Sequence, residues 1–392
     1  MSAVALVPNP VPDPTVPPPG LAAAPDQVEI SITGRCNLSC EYCFYNDEMV
    51  ALGDLPTERW LALFDELGSL AVRRVTLTGG EVFTRPDLWE LIDGLIASRL
   101  RYGLLTNGTL ITEETVAAFA VGKRRLRLNS IQVSIDGSTA AIHDLSRPPR
   151  SFDRALRGLR LLHDAGLPVT VRVTVNRHNV DDLPAIARLL LEDVGLGGFS
   201  TNEAEQMGTA RCFGQNITLS PAQRRQAMRT LSALNEQYGG RISAAAGPLA
   251  MSRHFGEITD AIVRGESGRP GRGTLCSCGG VFNKIAVLHD GTITPCTLLP
   301  SLTMGTIGTH RLQDVWRHHP SINAVRQRRG ILLSDIPECA GCAYTGFCAG
   351  GCPGAVLSKT GRLNTRDTLS CYRVFMGEEG DGDHPYAAED RA

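Results

Sequence analysis

Six short runs of β-branched and apolar residues, each followed by an amphipathic stretch of helical period, limit what this chain can fold into more than any other feature. The runs cover residues 28–33, 74–78, 102–106, 130–135, 169–176 and 198–202. The helical stretches fall near 56–69, 87–99, 112–121, 152–165, 181–193 and, after the sixth run, 220–238. Helix-start signals such as Pro56-Thr57-Glu58 and Ser220-Pro221 mark several of them. Repeated β–α units of this length predict an α/β fold with a parallel sheet and helical crossovers, curled into a partial (β/α)6 TIM-like barrel. Such sheets bind ligands at the carboxyl ends of their strands. The residues that close each run are therefore the first candidates for a site.

The first run leads into Gly34-Arg35-Cys36-Asn37-Leu38-Ser39-Cys40-Glu41-Tyr42-Cys43-Phe44. A loop leaving a strand with thiols at these spacings can wrap three sulfurs around one iron–sulfur cubane, whose fourth iron then stays open. The competing reading is a zinc knuckle, which pairs CxxC with a second CxxC or with His, and no His lies near this loop. The second run ends in Gly79-Gly80-Glu81, where the glycines allow close approach of a ligand and Glu81 offers an acceptor to an ammonium group. Taken alone it reads equally as a tight turn. The third run ends in Thr106-Asn107-Gly108 and the fourth in Ser134-Ile135-Asp136-Gly137, while Arg172 points from the fifth. Each of these also reads as a turn residue or a strand-edge charge. His143 is open to two readings, a general base or a surface cap.

The CxxxCxxC pattern of Cys36, Cys40 and Cys43, with Tyr42 before the third Cys, resembles the signature of the radical S-adenosylmethionine (SAM) superfamily. Gly79, Gly80 and Glu81 match that family's GGE motif literally, one β–α unit later. The resemblance implies a cluster on the three thiols whose open iron takes SAM, with Gly79, Gly80 and Glu81 at the SAM amino group. It further implies Asn107, Ser134, Asp136 and Arg172 around the ribose and carboxylate. Reductive cleavage of SAM would give a 5′-deoxyadenosyl radical that removes a hydrogen atom from a substrate C–H bond.

Eight more cysteines crowd the last third: Cys276, Cys278, Cys296, Cys339, Cys342, Cys348, Cys352 and Cys371. Residues 282–288, the turn His289-Asp290-Gly291 and residues 292–296 read as a β-hairpin carrying Cys296. A pair of zinc sites stapling a small domain would use similar ligands. The spacing resembles the seven-cysteine SPASM extension of radical SAM enzymes that modify peptides and proteins. That resemblance implies two auxiliary [4Fe–4S] clusters, hence three clusters in all. The hairpin cluster would take Cys278 or Cys276, then Cys296 and Cys352, and the other Cys339, Cys342, Cys348 and Cys371. Three, four and four thiolates leave Cys212 as the one spare, expected to be a small buried or half-buried side chain; a fourth ligand from Cys276 stays open. Family outcomes include thioether or carbon–carbon crosslinks and formylglycine formation. In sulfatase-maturing members a carboxylate follows the hairpin cysteine, whereas Thr297 stands there in this chain, which speaks against formylglycine chemistry.

Composition bounds the rest. A net charge of −2 gives no reason to expect nucleic acid or an anionic membrane as partner, and no apolar run approaches a membrane span. Residues 1–26 hold Pro8, Pro10, Pro12, Pro14, Pro17, Pro18 and Pro19 without a basic start, and read as a disordered lead-in and not a signal peptide. Twelve cysteines without an export signal point to metal in a reducing cytoplasm. The expected organisation is a barrel over 27–240, a flexible linker over 241–272, a SPASM domain over 273–375 and an acidic tail over 376–392. The expected function is oxidative modification of a ribosomally made precursor peptide, such as a crosslink; oxidation or dehydrogenation of a small molecule such as an amino sugar or porphyrin precursor, and peptide epimerisation, are the alternatives. Expected partners are that peptide, an electron donor such as flavodoxin or ferredoxin, and, with no leader-gripping module evident, a separate leader-binding protein.

Overall fold

Alternate residues of the first strand go to opposite sides of the sheet, and their chemistry decides which side is which. In the computed structural model, which describes residues 16–44 and 53–376, β1 (Gln27–Ser31) buries Val28 and Ile30 completely and turns Glu29 the other way. The apolar side meets helices. Helix α1 (Thr57–Ser69) sends Trp60, Leu63, Phe64 and Leu67 into this core at i, i+3, i+4 and i+7 spacing.

The next β–α units repeat the scheme. Strand β2 (Arg74–Thr78) leads to α2 (Leu88–Ala97), β3 (Arg101–Thr106) to α3 (Glu113–Ala118), and β4 (Leu128–Ser134) to α4 (Ala140–Ser146) and α5 (Ser151–Asp164). Strand β5 (Val169–Val175) leads to α6 (Leu183–Arg188), which runs on as a π-helical turn over Leu189–Asp193. After β6 (Phe199–Glu203) comes α7 (Pro221–Gln237), opened by a capping box in which Ser220 and Gln223 satisfy each other's backbone N–H groups. The strand positions expected from the sequence agree with the structure to within about two residues, the usual uncertainty of strand ends.

Residues 241–272 differ from the flexible linker the sequence suggests. They hold a seventh strand, β7 (Ile242–Ala244), parallel to β6, and a 16-residue helix, α8 (Pro248–Val263). The hairpin follows as β8 (Lys284–Val287) and β9 (Ile293–Thr294), and β8 pairs in parallel with β1, Gln27 opposite Lys284. One nine-stranded sheet of order β7-β6-β5-β4-β3-β2-β1-β8-β9 therefore carries both halves of the chain. It stays open, with β7 and β9 as edges. Glu29 of β1 and Arg172 of β5, three strands apart from neighbouring, interact electrostatically across the polar face, which requires a curled sheet. This is the partial barrel.

Beyond the hairpin lie α9 (Leu312–His318), α10 (Pro320–Gln327) and α11 (Pro353–Thr360). The lead-in is partly docked: Trp316 Nε1 of α9 donates to the Ala22 carbonyl at 3.0 Å, and Leu21 packs against the main core. The expected disorder of residues 1–15 and the acidic tail from 377 fall outside the described residues.

Candidate functional site

The thiol loop is pinned at both ends. At its start, the Asp54 carboxylate accepts from Thr33 Oγ1 and from the Gly34 N–H, each at 2.7 Å. Gly79 and Gly80 press on the same backbone, where their N-terminal neighbour strand ends. A Cβ on Gly79, whose φ is +144°, would stand 2.3 Å from the Thr33 carbonyl oxygen, and one on Gly80 2.1 Å from that of Arg35. The Gly80 and Glu81 N–H groups donate to those same carbonyls at 2.9 and 2.8 Å. The glycines are thus required by the fold, because only a bare backbone fits this closely.

Glu81 is fully buried, and its carboxylate is engaged by the protein. Oε2 accepts from the Asn107 N–H at 2.6 Å, and Oε1 from Thr106 Oγ1 at 2.7 Å and the Phe83 N–H at 3.2 Å. Burial raises its pKa, opposed by those hydrogen bonds. Among the described residues nothing donates to the Gly79 and Gly80 carbonyls, which leaves these oxygens as the acceptors open to a ligand. Asn107 turns its side chain to the loop: Nδ2 donates to Asn37 Oδ1 at 2.9 Å and approaches Cys36 Sγ at 4.0 Å.

The far end of the loop hangs on Asp136. This side chain has no exposure, pairs with Arg147 Nε at 2.5 Å, accepts from the Thr174 N–H at 2.7 Å and receives the Tyr42 hydroxyl. It fixes Tyr42, the residue before Cys43. Arg147 also approaches Cys40 Sγ at 3.8 Å and stacks 5.3 Å from the Tyr42 ring centre. The sequence marks Arg147 only as the end of the segment His143-Asp144-Leu145-Ser146-Arg147 and gives it no role. His143 is buried and not a surface cap: Nδ1 accepts the Asp136 N–H at 3.0 Å, and burial pushes its pKa down to about 4. On the other side, the Thr209 N–H donates to the Cys43 carbonyl at 2.9 Å.

Ser134, the last residue of β4, is the register partner of Arg172 in the middle of β5, and both are half-buried. Arg172 Nε is buried without a hydrogen-bond partner, and burial lowers the group's pKa. The sequence had not marked two further charges on this inner face. Glu29 accepts from Thr297 Oγ1 at 3.0 Å and lies 3.6 Å from Lys284 Nζ. A carboxylate therefore does stand beside Thr297, supplied by β1.

The remaining cysteines fall into two sets. Cys339, Cys342, Cys348 and Cys371 line one cavity with Tyr344, Arg366 and Tyr372. Burial pushes the Cys339 thiol up to about 12, and the neighbouring thiols add to the rise. Cys278, Cys296 and Cys352 form the second set, with Lys284 and Arg328 as the facing cations. Burial holds the Cys296 thiol at about 11, opposed by Lys284. Cys276 is elsewhere: its Sγ donates to the Gly271 carbonyl at 3.0 Å. Cys212 is exposed, contrary to the expectation of a buried side chain.

These donor sets suit clusters. N–H groups already aim at sulfur, as from Leu38 to Cys36 and from Gly350 to Cys348, each at 3.4 Å. Cubane thiolates take such bonds. An open parallel barrel with a three-thiol loop at its mouth and a cysteine-rich extension on its sheet defines the class of cluster-dependent barrel proteins. Profile comparison agrees: the Radical SAM superfamily matches residues 30–190, and the SPASM iron–sulfur cluster-binding domain matches residues 276–343. The chain belongs to the radical SAM superfamily and carries a C-terminal SPASM domain.

Among curated relatives, it is 27% identical to the AdoMet-dependent heme synthase of Methanosarcina barkeri, over 89% of this chain and 97% of that protein. It is 24% identical to the subtilosin biosynthesis protein AlbA of Bacillus subtilis, over 84% of this chain and 67% of AlbA. With the mycofactocin maturase MftC of Mycolicibacterium smegmatis the identity is 27%, over 85% and 79%. The fold is shared with Streptococcus suis SuiB bound to its precursor peptide SuiA, at a TM-score of 0.68, 16% identity and coverage of 89% of this chain and 76% of SuiB. It is also shared with anSMEcpe bound to AdoMet and a peptide, at 0.62, 20% identity and coverage of 90% and 95%.

Proposed function

We propose that this chain is an oxidoreductase that uses SAM to make an oxidative modification, such as a thioether or carbon–carbon crosslink, in a ribosomally made peptide. A cluster on Cys36, Cys40 and Cys43 supplies, with SAM on its open iron, the electron and the 5′-deoxyadenosyl radical that such chemistry needs. The observation that carries the reading is the polar inner face of the curled sheet. It offers Ser134, Thr76 and Gln132 and three charges, Glu29, Arg172 and Lys284, between the thiol loop and the Cys278/Cys296/Cys352 set.

There the Gly79 and Gly80 carbonyls accept from the SAM amino group, while Ser134 and the free Nε of Arg172 meet the carboxylate. Asn107 closes the site beside Cys36. Glu81 and Asp136 act one step back, by holding Asn107 and Tyr42 in place. Glu29 accepts the proton that leaves the oxidised substrate. Cys278, Cys296 and Cys352, and Cys339, Cys342, Cys348 and Cys371, would hold two auxiliary clusters, three in all, which would supply an acceptor for the second electron. The names of AlbA, MftC and the SuiB–SuiA complex support a peptide substrate.

We assign the protein to the cytoplasm, with flavodoxin or ferredoxin as electron donor, a separate leader-binding protein, and neither nucleic acid nor membrane as partner. No helix among the described residues is long and apolar enough to cross a bilayer.

A second reading, oxidation of a porphyrin-like small molecule, is favoured by the full-length match to a heme synthase. The test is anaerobic incubation with reductant, SAM and the short peptide encoded beside the gene. A product lighter by two hydrogens, with fragment ions missing between the joined residues, is expected. Turnover of a porphyrin precursor but of no peptide establishes the second reading, and unchanged mass with inverted stereochemistry establishes epimerisation.

A further inference from the structure

Two arginines at the end of α10 are equally buried and differently used. Arg326 and Arg328 are each 1% exposed. Arg326 donates from Nε to the Val281 carbonyl at 2.8 Å, and from Nη1 to the Trp316 carbonyl at 2.6 Å and Asn323 Oδ1 at 2.8 Å. Its guanidinium also stacks 4.2 Å from the Trp316 ring centre. Arg328, in the tight turn that follows, has no hydrogen-bond partner on Nε, Nη1 or Nη2.

A guanidinium cannot shed its proton to escape such a place. An unpaired buried ion is among the costliest groups a fold can hold, so a position of this kind is kept for a partner. The groups facing Arg328 are the Cys278 and Cys352 sulfurs and the Asp367 carboxylate. The Asp367 carboxylate already accepts from the Leu369 N–H at 3.1 Å and from Ser370 Oγ at 3.0 Å. Lys284, the other cation at this set of cysteines, is 3.6 Å from Glu29 and shares its charge with that carboxylate. Arg328 is left as the buried cation whose N–H groups meet no acceptor.

We infer that Arg328 is the counter-charge of the iron–sulfur cluster held by Cys278, Cys296 and Cys352. The inference rests on the proposed cluster at that site and goes beyond it by assigning the residue that tunes it. Thiolates make a cubane anionic, and one-electron reduction adds a further negative charge. A fixed cation and N–H···S bonds favour the reduced form and raise the potential. Arg328 is a positioning and tuning residue, since it reaches the substrate only through the cluster.

The test is a potentiometric titration followed by electron paramagnetic resonance on the anaerobically reconstituted full chain, with Arg328→Met and Arg328→Lys. In Arg328→Met one reduction step is expected to shift to lower potential by at least tenfold in its equilibrium, which is 59 mV for a one-electron couple. The other steps stay in place, and Arg328→Lys restores most of the shift. Loss of about four irons in Arg328→Met alone, with Arg328→Lys fully loaded, supports the assignment equally, since charge is then what assembly needs. Fully loaded Arg328→Met with every midpoint unmoved overturns it. Loss of iron in both variants also overturns it, because shape and not charge is then required. Wild-type protein that carries no cluster on these cysteines refutes the underlying site instead, an outcome visible from its iron content before any variant is made.

Discussion

At Glu81 the sequence and the structure assign different work to the same carboxylate. The sequence offers an acceptor for a ligand ammonium, yet the fold spends that acceptor on Asn107, Thr106 and Phe83. Glu81→Ala leaves buried donors unpaired, at about 1–3 kcal/mol each, so denaturant unfolding should shift to clearly lower concentration. Glu81→Gln keeps one acceptor oxygen and should lose less. A Gln variant of unchanged stability that no longer binds SAM would return the carboxylate to the ligand. The residue type was legible from the motif, but its partners were not, because Asn107 lies a whole β–α unit away. His143 gives a pH signature. Burial disfavours its imidazolium, so the folded chain binds fewer protons than the unfolded chain between about pH 4 and 6.5. Its contribution is complete above pH 6.5 and is lost as pH falls through that window, a change of roughly 3 kcal/mol at full extent. His143→Gln should therefore show a shallower fall in unfolding free energy between pH 7 and 5 than the parent. Parallel slopes for the two proteins would refute the buried neutral imidazole.

The elements were legible wherever their apolar faces pack locally. Strands β1, β2 and β6 alternate inside a short window, and α1 carries its stripe on one face. Helix α8 was not legible. Its Leu249 joins the main core, whereas Phe255, Ile258 and Ala261 join a separate cluster with Phe347 and Tyr372, which lie far along the chain. The glycines around it, and not its divided face, dominate a linear reading. The C-x-C pair was ambiguous for a similar reason: spacing cannot say which sulfur turns away. The structure turns Cys276 to the Gly271 carbonyl and leaves Cys278 with Cys352. Cys276→Ala should retain the full complement of about twelve irons, and Cys278→Ala should lose about four. Equal losses in the two variants would restore Cys276 as a ligand.

The barrel and the cysteine-rich extension share one sheet and one core, so the molecule should not divide at residue 272. Strand β8 covers the edge of β1 along register pairs from Gln27–Lys284 to Ile30–Val287. Ile285, Val287, Ile293, Leu312, Trp316 and Ile322 belong to the same buried cluster as Val28, Ile30 and Trp60. The docked lead-in ties the ends further through Ala22 and Trp316. Removing residues 273–392 would bare the N–H and C=O groups of β1, a ready template for pairing with another chain. It would also strip apolar contacts worth about 1.5–3 kcal/mol per buried side chain, against a net stability of about 5–15 kcal/mol for a typical domain. The truncated chain should aggregate, or elute as expanded material with reduced helical circular dichroism, even though it keeps Cys36, Cys40, Cys43 and the strands that surround them. The comparison is with a full-length variant in which Cys339, Cys342, Cys348 and Cys371 are replaced by Ser, which retains the shared sheet and should elute as the parent does. A truncated chain that is monomeric, cooperatively folded and able to load about four irons would show that the barrel stands alone and that the β1–β8 ladder is an accessory contact.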